Sequence, residues 1–250
     1  MGPRRRERSL IVNADDFGQS PGINAGIITA HEQGIVSSAS LMVRWPAAAA
    51  AAEYARSRPG FSVGLHFDFH EWIRRRGRWT LLYEVVPCED VDAVRQEAIR
   101  QLELFRRLVG RDPTHLDSHQ HVHLRRPLRP LFGGLADSLG VSLRRCSREI
   151  RYAGDFYGQD DDGRPFPTLI KPAALITVIA KLSPGITELG CHPGYATDLT
   201  SMYRSERARE VKTLCHPDVR EALRDFQIRL RSFHDPTVRP QLTRVASVST

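Results

Sequence analysis

Two kinds of hydrophobic pattern follow one another along the chain. Short apolar runs, about four to eight residues long and rich in branched and aromatic side chains, predict buried strands. Longer stretches between them repeat apolar residues every three to four positions, which is the period of an amphipathic helix. The clearest helical stretch covers residues 89–109, and one of its faces carries Val91, Val94, Ala98, Leu102, Phe105 and Val109.

These patterns predict an α/β fold. We expect strands at residues 9–13, 36–43, 61–67, 114–119, 187–192 and 228–233, and helices at 20–34, 46–52, 89–109, 128–139, 169–182, 205–215 and 219–225. Strands that alternate with helices favour a parallel sheet. No linker or fixed-period repeat interrupts the pattern, so we predict one domain at 9–235 between a basic, disordered segment 1–8 and a polar tail 236–250.

Composition narrows the class of protein. A chain of 250 residues is long enough for one (β/α) barrel, which takes about 250 residues. No apolar run reaches the roughly 18 residues that a membrane span requires, so we expect no integral membrane segment. The net charge of +7 points towards nucleic acid, but 33 of the 36 basic residues are arginine and no basic stripe is interleaved with aromatic residues. We therefore interpret the arginines as surface residues and expect no nucleic-acid partner.

The four cysteines and the N-terminus bear on cellular location. No two cysteines form a CxxC pair, so neither a zinc knuckle nor a thioredoxin motif is predicted. The apolar stretch behind the basic N-terminus is too short for a signal-peptide core. We expect a cytoplasmic protein.

Residue types that bind metals cluster at the ends of predicted strands, where functional groups gather in parallel sheets. Asp15 and Asp16 follow the first strand, His66 ends the third, and His192 ends a later one. Two adjacent carboxylates are costly to hold together unless a cation or a shared proton is present. One of the pair is then a metal ligand and the other a general base; the alternative is that one caps the next helix.

A run of histidines lies at the end of the fourth strand. His115, Asp117, His119, His121 and His123 are spaced by two, so in an extended chain they share one face at intervals of about 6.5 Å. That spacing allows at most one or two of them to bind a single ion. The others orient the ligands or contact substrate; the alternative is a polar edge strand.

Single histidines are harder to interpret. His66 taken alone fits a hydrogen-bonded core residue, and only its neighbours favour a ligand. His192 precedes Pro193 and Gly194 in a turn, where it is either a general acid towards a leaving amine or a structural residue.

Four motifs match a known family in order and spacing. They are LIVNADDFG at 10–18, GLH at 64–66, PTHLDSHQHVH at 113–123 and CHPGY at 191–195. Across residues 9–235 the chain resembles the YdjC-like (ChbG/HpnK) carbohydrate deacetylases. The resemblance implies a distorted (β/α) barrel, one divalent metal ion (magnesium or zinc) and hydrolysis of the N-acetyl group of an amino sugar.

The resemblance also implies roles for the strand-end residues. Asp16, His66 and His119 would hold the metal ion, and Asp15 would be the base that activates the attacking water. His192 would be the acid that protonates the departing amine. Asp117, His121, His123 and Tyr195 belong to the same motifs and are expected near the substrate.

The segment after His66 departs from the family members that act on chitin disaccharides. Residues 73–80 read IRRRGRWT, and Trp72 and Trp79 are candidates for stacking on a sugar. Arg76, with its neighbours in 74–78, would suit a phosphate or carboxylate, so the substrate is expected to be an N-acetylated sugar that is anionic or linked to a carrier. The alternative is an ordinary solvated loop. The sequence is compatible with a homodimer.

Two other functions compete. A metal-dependent phosphoesterase on a similar barrel would use the same ligand types, although the first strand lacks the His-x-His motif of one such family. A basic binding protein without enzymatic activity is the third class.

Overall fold

The predicted alternation of strands and helices is present in the structure, a computed structural model that describes residues 7–160, 162–195, 198, 202–235 and 238. The strands are β1 (Arg8–Phe17), β2 (Ser38–Leu41), β3 (Ser62–Phe67), β4 (His70–Arg75), β5 (Arg78–Glu84), β6 (His115–Ser118), β7 (Ser142–Leu143), β8 (Ile150–Ala153), β9 (Gly185–Cys191) and β10 (Ile228–Arg231). The helices are α1 (Pro21–Glu32), α2 (Ala48–Ser57), α3 (Val91–Val109), α4 (Arg129–Leu139), α5 (Pro172–Ala180), α6 (Ser205–Leu214) and α7 (Pro217–Asp225). The terminal segments predicted at 1–8 and 236–250 lie outside the described residues, except for Glu7, Arg8 and Val238.

Eight strands form one parallel sheet. Its order is β7-β6-β3-β2-β1-β9-β8, and β10 pairs with the N-terminal half of β1. Within the described ranges no ladder joins β7 to β8, so the barrel is incomplete. The predicted α/β class and distorted (β/α) barrel are confirmed.

Local sequence explains where the main elements begin and end. β1 is buried along nearly its whole length, as its run of apolar residues predicted. The Ser20 side chain accepts a hydrogen bond from the Ile23 N–H and caps α1. Asp90 caps α3 in the same way, and Gly110 ends that helix with φ of 76°, a left-handed conformation that glycine adopts readily.

Two segments differ from the sequence prediction. Residues 70–84, which include the segment read as a loop, form an antiparallel hairpin of β4 and β5. Its turn is made by Arg76 and Gly77, whose φ values of 49° and 77° match the two-residue turns that join twisted strands. The histidine run is extended only as far as Ser118, because His119–Leu124 form a 3₁₀ segment in which Gln120 and His121 have left-handed backbones. The expected common face of the five residues is therefore wrong beyond the end of β6.

None of the helices in the described part of the chain combines the length and the apolar character needed to cross a bilayer.

Candidate metal centre

The end of β1 presents two carboxylates side by side. Asp15 and Asp16 are almost fully buried, at 3% and 1% exposure. The pairing of β1 with β2 shifts register between Ala14 and Phe17, and Asp16 has a φ of 67°. A register shift of this kind redirects side chains at a strand end, and a left-handed aspartate is a local strain that often accompanies function.

Three predicted metal ligands lie together at this end of the sheet. Asp16 is the penultimate residue of β1, His66 lies in β3, and His119 comes directly after β6. Their donor atoms all lie within 4.8 Å of one another. Asp16 Oδ1 is 3.4 Å from His66 Nε2 and 3.1 Å from His119 Nδ1. The sequence-predicted ligand set is thus brought together by three separate strands.

The surroundings of these donors suit a cation. His66 Nδ1 donates to Asp117 Oδ1 at 2.8 Å, which leaves Nε2 facing Asp16. A carboxylate on the far nitrogen is the usual partner of a metal-binding histidine. The Nε2 atom of His119 is buried and has no hydrogen-bond partner among the described residues. A divalent ion with mixed carboxylate and imidazole ligands therefore fits these residues.

The charges of the site lead to the same conclusion. Burial alone would lower the pKa of His66, but Asp117, Asp16 and Asp15 raise it well above its ordinary value. Burial would raise the pKa of Asp16, yet Arg207, His119 and His66 hold it well below its usual range. The carboxylates thus favour positive charge at the imidazoles, which is the charge that a bound cation would supply.

Helix α6 supports two parts of the site at once. Arg207 Nη2 pairs with Asp16 Oδ2 at 2.6 Å, and Arg207 Nη1 donates to the His192 carbonyl at 3.3 Å. Glu210 Oε2 accepts the His192 N–H at 2.5 Å. The backbone of His192 is therefore held from both sides by side chains one helical turn apart.

Arg144, the residue after β7, holds the proposed base. Its Nη1 pairs with Asp15 Oδ1 at 2.6 Å and also with Asp117, and its Nη2 pairs with Glu188 at 2.5 Å. Asp15, His66 and Asp117 form a second set of closely spaced donors. Because the Arg144 guanidinium already bonds both carboxylates of that set, we do not count it as a second metal site.

His192 lies near Asp15 but does not bond it directly. Its Nε2 is 3.8 Å from Asp15 Oδ2, beyond hydrogen-bond range. The rings of Tyr157 and Tyr203 both have centroids 5.5 Å from that of His192. Burial lowers the pKa of His192 to about 4, against the opposing charges of Asp15 and Asp16. The imidazole is therefore neutral near pH 7.

A cavity of about 420 Å³ opens above these residues. Asp15, Asp16, His66, His119 and His192 all line it, as do Trp72 and His121. Five other residues predicted to contact substrate do not line the cavity: Asp117, His123, Trp79, Arg76 and Tyr195. Asp117 is buried beneath His66, and His123 bonds Ser118 and the Arg144 carbonyl. Arg76 lies in the hairpin turn, while Trp79 and Tyr195 are 50% and 41% exposed.

Sequence reasoning missed the residues that support the site. Arg144 follows a strand of only two residues, which is too short for a periodic signal. Glu206, Arg207 and Glu210 share a face of α6 that reads as a solvated charged face, although all three are buried. Glu71 and Tyr157 line the cavity without belonging to any motif that we singled out.

Comparisons with known proteins agree with this geometry. Residues 9–225 match the family model of the YdjC-like proteins. A chitooligosaccharide deacetylase of Serratia marcescens is 32% identical over 268 residues, covering 92% of this chain and 99% of the relative. A crystal structure of an Enterococcus faecalis V583 protein described as a candidate for cellobiose-phosphate cleavage is 26% identical, with a TM-score of 0.74 over 91% of this chain and 98% of that one.

A more distant structure shares the fold alone. A family 4 carbohydrate esterase from Streptomyces lividans, solved with acetate, superposes with a TM-score of 0.53 at 12% identity, covering 90% of this chain and 92% of that one. The family match spans most of this chain and includes every motif described above. The chain therefore belongs to the YdjC-like protein family.

Proposed function

We propose that this protein is a metal-dependent carbohydrate deacetylase that removes the N-acetyl group of an amino sugar and releases acetate. One observation carries the proposal: Asp16, His66 and His119 converge beside Asp15 and His192 on the lining of a single open cavity. The similarity to a chitooligosaccharide deacetylase over nearly its whole length supports the choice of substrate class.

We assign the metal ligands to Asp16, His66 and His119. A divalent ion bound there would polarise the acetamide carbonyl and lower the pKa of a water molecule. Two imidazoles favour zinc, because magnesium prefers oxygen ligands, although both ions stay within the proposal. Asp117 would keep the His66 ring in the orientation that leaves Nε2 for the ion.

Asp15 is the proposed general base. Its carboxylate is fixed by Arg144 at 2.6 Å and by the Asn13 side chain at 2.8 Å, and it borders the cavity. A carboxylate held in this way accepts the proton of the attacking water without reorganising. Arg144 thus serves as a positioning residue.

His192 is the proposed acid. Because it is neutral near pH 7, it must first receive a proton, and Asp15, whose Oδ2 lies 3.8 Å from His192 Nε2, would pass on the proton that it takes from the water. Since 3.8 Å is too long for direct transfer, the substrate or a water molecule would lie between them. The imidazolium would then protonate the departing amine.

The proposed sugar contacts are a subset of those expected from sequence. Trp72 and His121 line the cavity and stay in the set, and Tyr157 joins them beside His192. Asp117 and His123 become supporting residues beneath the site. Trp79, Arg76 and Tyr195 do not belong to the proposed contacts.

One experiment separates the deacetylase from the phosphoesterase. The metal-loaded protein is incubated with N-acetylglucosamine, N,N′-diacetylchitobiose, nucleotide-linked N-acetylglucosamine and a sugar phosphate, and acetate and phosphate are both measured. We expect acetate only. Phosphate release without acetate would overturn the proposal. Two arginines line the cavity: Arg207 is paired with Asp16 and does not favour a phosphate ligand, while Arg145 stacks on the Tyr152 ring and is the cation that a phosphate would meet.

Three finer expectations stay predictions. They are a cytoplasmic location, a homodimer, and a substrate that is anionic or linked to a carrier. Size-exclusion chromatography with light scattering tests the second, and the nucleotide-linked sugar in the panel above tests the third.

A further inference from the structure

The catalytic cavity contains a carboxylate to which the proposed mechanism gives no role. Glu71 lines the cavity and is only 5% exposed. Within the described part of the chain its carboxylate has no hydrogen bond and no ion pair, and its oxygens are not fully enclosed but border the cavity. Buried carboxylates in proteins are normally paired or hydrogen-bonded. An unpaired one that borders a cavity points to a ligand that completes its hydrogen bonds.

The fold holds Glu71 in place through its neighbour. The β4–β5 hairpin shifts register between Glu71 and Trp72, and such an irregularity redirects a side chain. The Gln120 side chain accepts the Trp72 N–H at 2.9 Å and donates to the Trp72 carbonyl at 2.7 Å. Because Gln120 directly follows the proposed ligand His119, these two bonds fix Glu71 relative to the metal centre.

The backbone contacts place Glu71 near the His119 side of the cavity. Its neighbour Trp72 bonds Gln120, the residue that directly follows His119. His192 lies instead beside Asp15 and the Tyr157 ring. Because the amine leaves beside His192 in the proposed reaction, Glu71 suits a different part of the sugar.

An ionised carboxylate only accepts hydrogen bonds, so its partner on the ligand must be a donor. The hydroxyl groups of a sugar ring are donors of this kind. A phosphate or carboxylate at the same place would face repulsion from the Glu71 carboxylate. A neutral hydroxyl is therefore the sugar group that suits this position.

We infer that Glu71 is a specificity-determining residue that accepts a hydrogen bond from a ring hydroxyl of the sugar unit being deacetylated, and that Gln120 is its positioning residue. This inference rests on the proposed function. A site built around such a bond rejects a substrate that lacks the hydroxyl, because the buried carboxylate is then left without a partner.

The test compares variants with deoxy sugars. Glu71→Gln and Glu71→Ala are assayed in the metal-loaded enzyme on N-acetylglucosamine and its 3-, 4- and 6-deoxy analogues. Glu84→Gln makes the same chemical change at an exposed position of the same hairpin and is the control. We expect Glu71→Ala to lower kcat/KM on the parent sugar by about 10- to 150-fold, the value of one hydrogen bond to a charged group. Glu84→Gln should change nothing.

The pattern across sugars is the decisive readout. For the wild type, kcat/KM on one deoxy analogue should be lower than on the parent sugar by a similar factor. For Glu71→Ala, kcat/KM should be the same on that analogue and on the parent sugar. Gln120→Ala should show the same pattern with a smaller effect. If Glu71→Ala is as active as wild type, or loses activity equally on every sugar and analogue, the inference is overturned. The deoxy series on the wild type alone gives a result even if a variant fails to fold.

Equilibrium binding separates this inference from the proposed function. Calorimetry with glucosamine and its deoxy analogues needs no turnover. The wild type could bind glucosamine more tightly than Glu71→Ala does and yet release no acetate from any sugar. That result would refute the proposed deacetylase activity but support the Glu71 contact. Equal binding by wild type and Glu71→Ala would refute the contact itself.

Discussion

Arg144 is the centre of a buried ion-pair cluster near the site. It is 3% exposed and bonds Asp15, Asp117 and Glu188, which come from three different strands. Arg144→Met keeps a long apolar side chain but removes the charge. The variant would leave three buried carboxylates without their shared cation, so we expect a large loss of stability.

The size of the loss follows from the burial. Removing one partner of a buried ion pair costs about 3–5 kcal/mol. Asp117 keeps its bonds from His66 and Ser40, which limits the damage. We therefore expect the free energy of unfolding to fall by about 4 kcal/mol, close to a thousandfold in the folding equilibrium. With a urea m-value of about 3 kcal/mol/M, the midpoint moves down by roughly 1.3 M.

The loss should also depend on pH. Arg144 opposes the burial that would raise the pKa of the Asp117 and Glu188 carboxyls, so without it both groups resist ionising in the folded state. The variant is then most stable where these groups are protonated. Its loss of unfolding free energy relative to wild type grows as pH rises from 5 to 8. Arg144→Met combined with Glu188→Gln should recover part of the loss, because one of the uncompensated charges is gone.

Urea unfolding of the metal-free protein at pH 5, 7 and 8 measures these values. Arg148→Met, at an exposed position four residues away, is the control and should change stability by less than about 0.5 kcal/mol. The reasoning fails if Arg144→Met costs no more than Arg148→Met, or if its deficit is the same at all three pH values.

Two further predictions concern packing and titration. A Cβ added at Gly26 would lie 2.3 Å from Gly194 Cα, so Gly26→Ala should lower the free energy of unfolding by about 1–3 kcal/mol in a urea titration and lower kcat by displacing the loop that carries His192. Gly134→Ala, with open space around it in α4, should instead raise the free energy of unfolding by about 0.5–1 kcal/mol. Equal effects of the two substitutions would contradict the packing argument. Burial raises the pKa of Glu210 from an ordinary 4.5 to about 8. The protonated group therefore stabilises the fold fully below about pH 4.5, and this stabilisation, up to about 5 kcal/mol, is lost as pH rises to 8. Glu210→Gln should flatten that part of the stability–pH curve, and an unchanged curve would show that Glu210 is not responsible.

The convergence of the proposed ligands could be predicted from sequence because it follows from the sheet. Carboxyl ends of parallel strands meet at one edge, so residues at the C-terminal ends of β1, β3 and β6 lie together whatever the details of the loops. Asp16, His66 and His119 therefore needed only correctly identified strands. The conformation after Ser118 did not follow from spacing, because left-handed backbones at Gln120 and His121 turn the chain out of the extended form.

The supporting charges could not be predicted because their surroundings come from distant parts of the chain. Arg144 and Arg207 are two of 33 arginines, and nothing local separates a buried guanidinium from an exposed one. The hairpin could not be predicted for a similar reason. Its segment 73–80 has the composition of a solvated loop, while the side chain that anchors β4 at Trp72 is Gln120, far along the sequence.

The central claim is that Asp16, His66 and His119 hold the ion with which Asp15 catalyses deacetylation. The most direct test measures metal content and acetate release from N,N′-diacetylchitobiose on the same samples of wild type, Asp15→Asn and His119→Ala, each stripped with a chelator and then given zinc or magnesium. We predict that stripped wild type is inactive and regains activity with about one ion per chain. Asp15→Asn should retain the ion but lose activity by about 10²- to 10⁴-fold, and His119→Ala should lose both. Full activity in the stripped wild type, or a His119→Ala variant that binds the ion and turns over normally, would contradict the account.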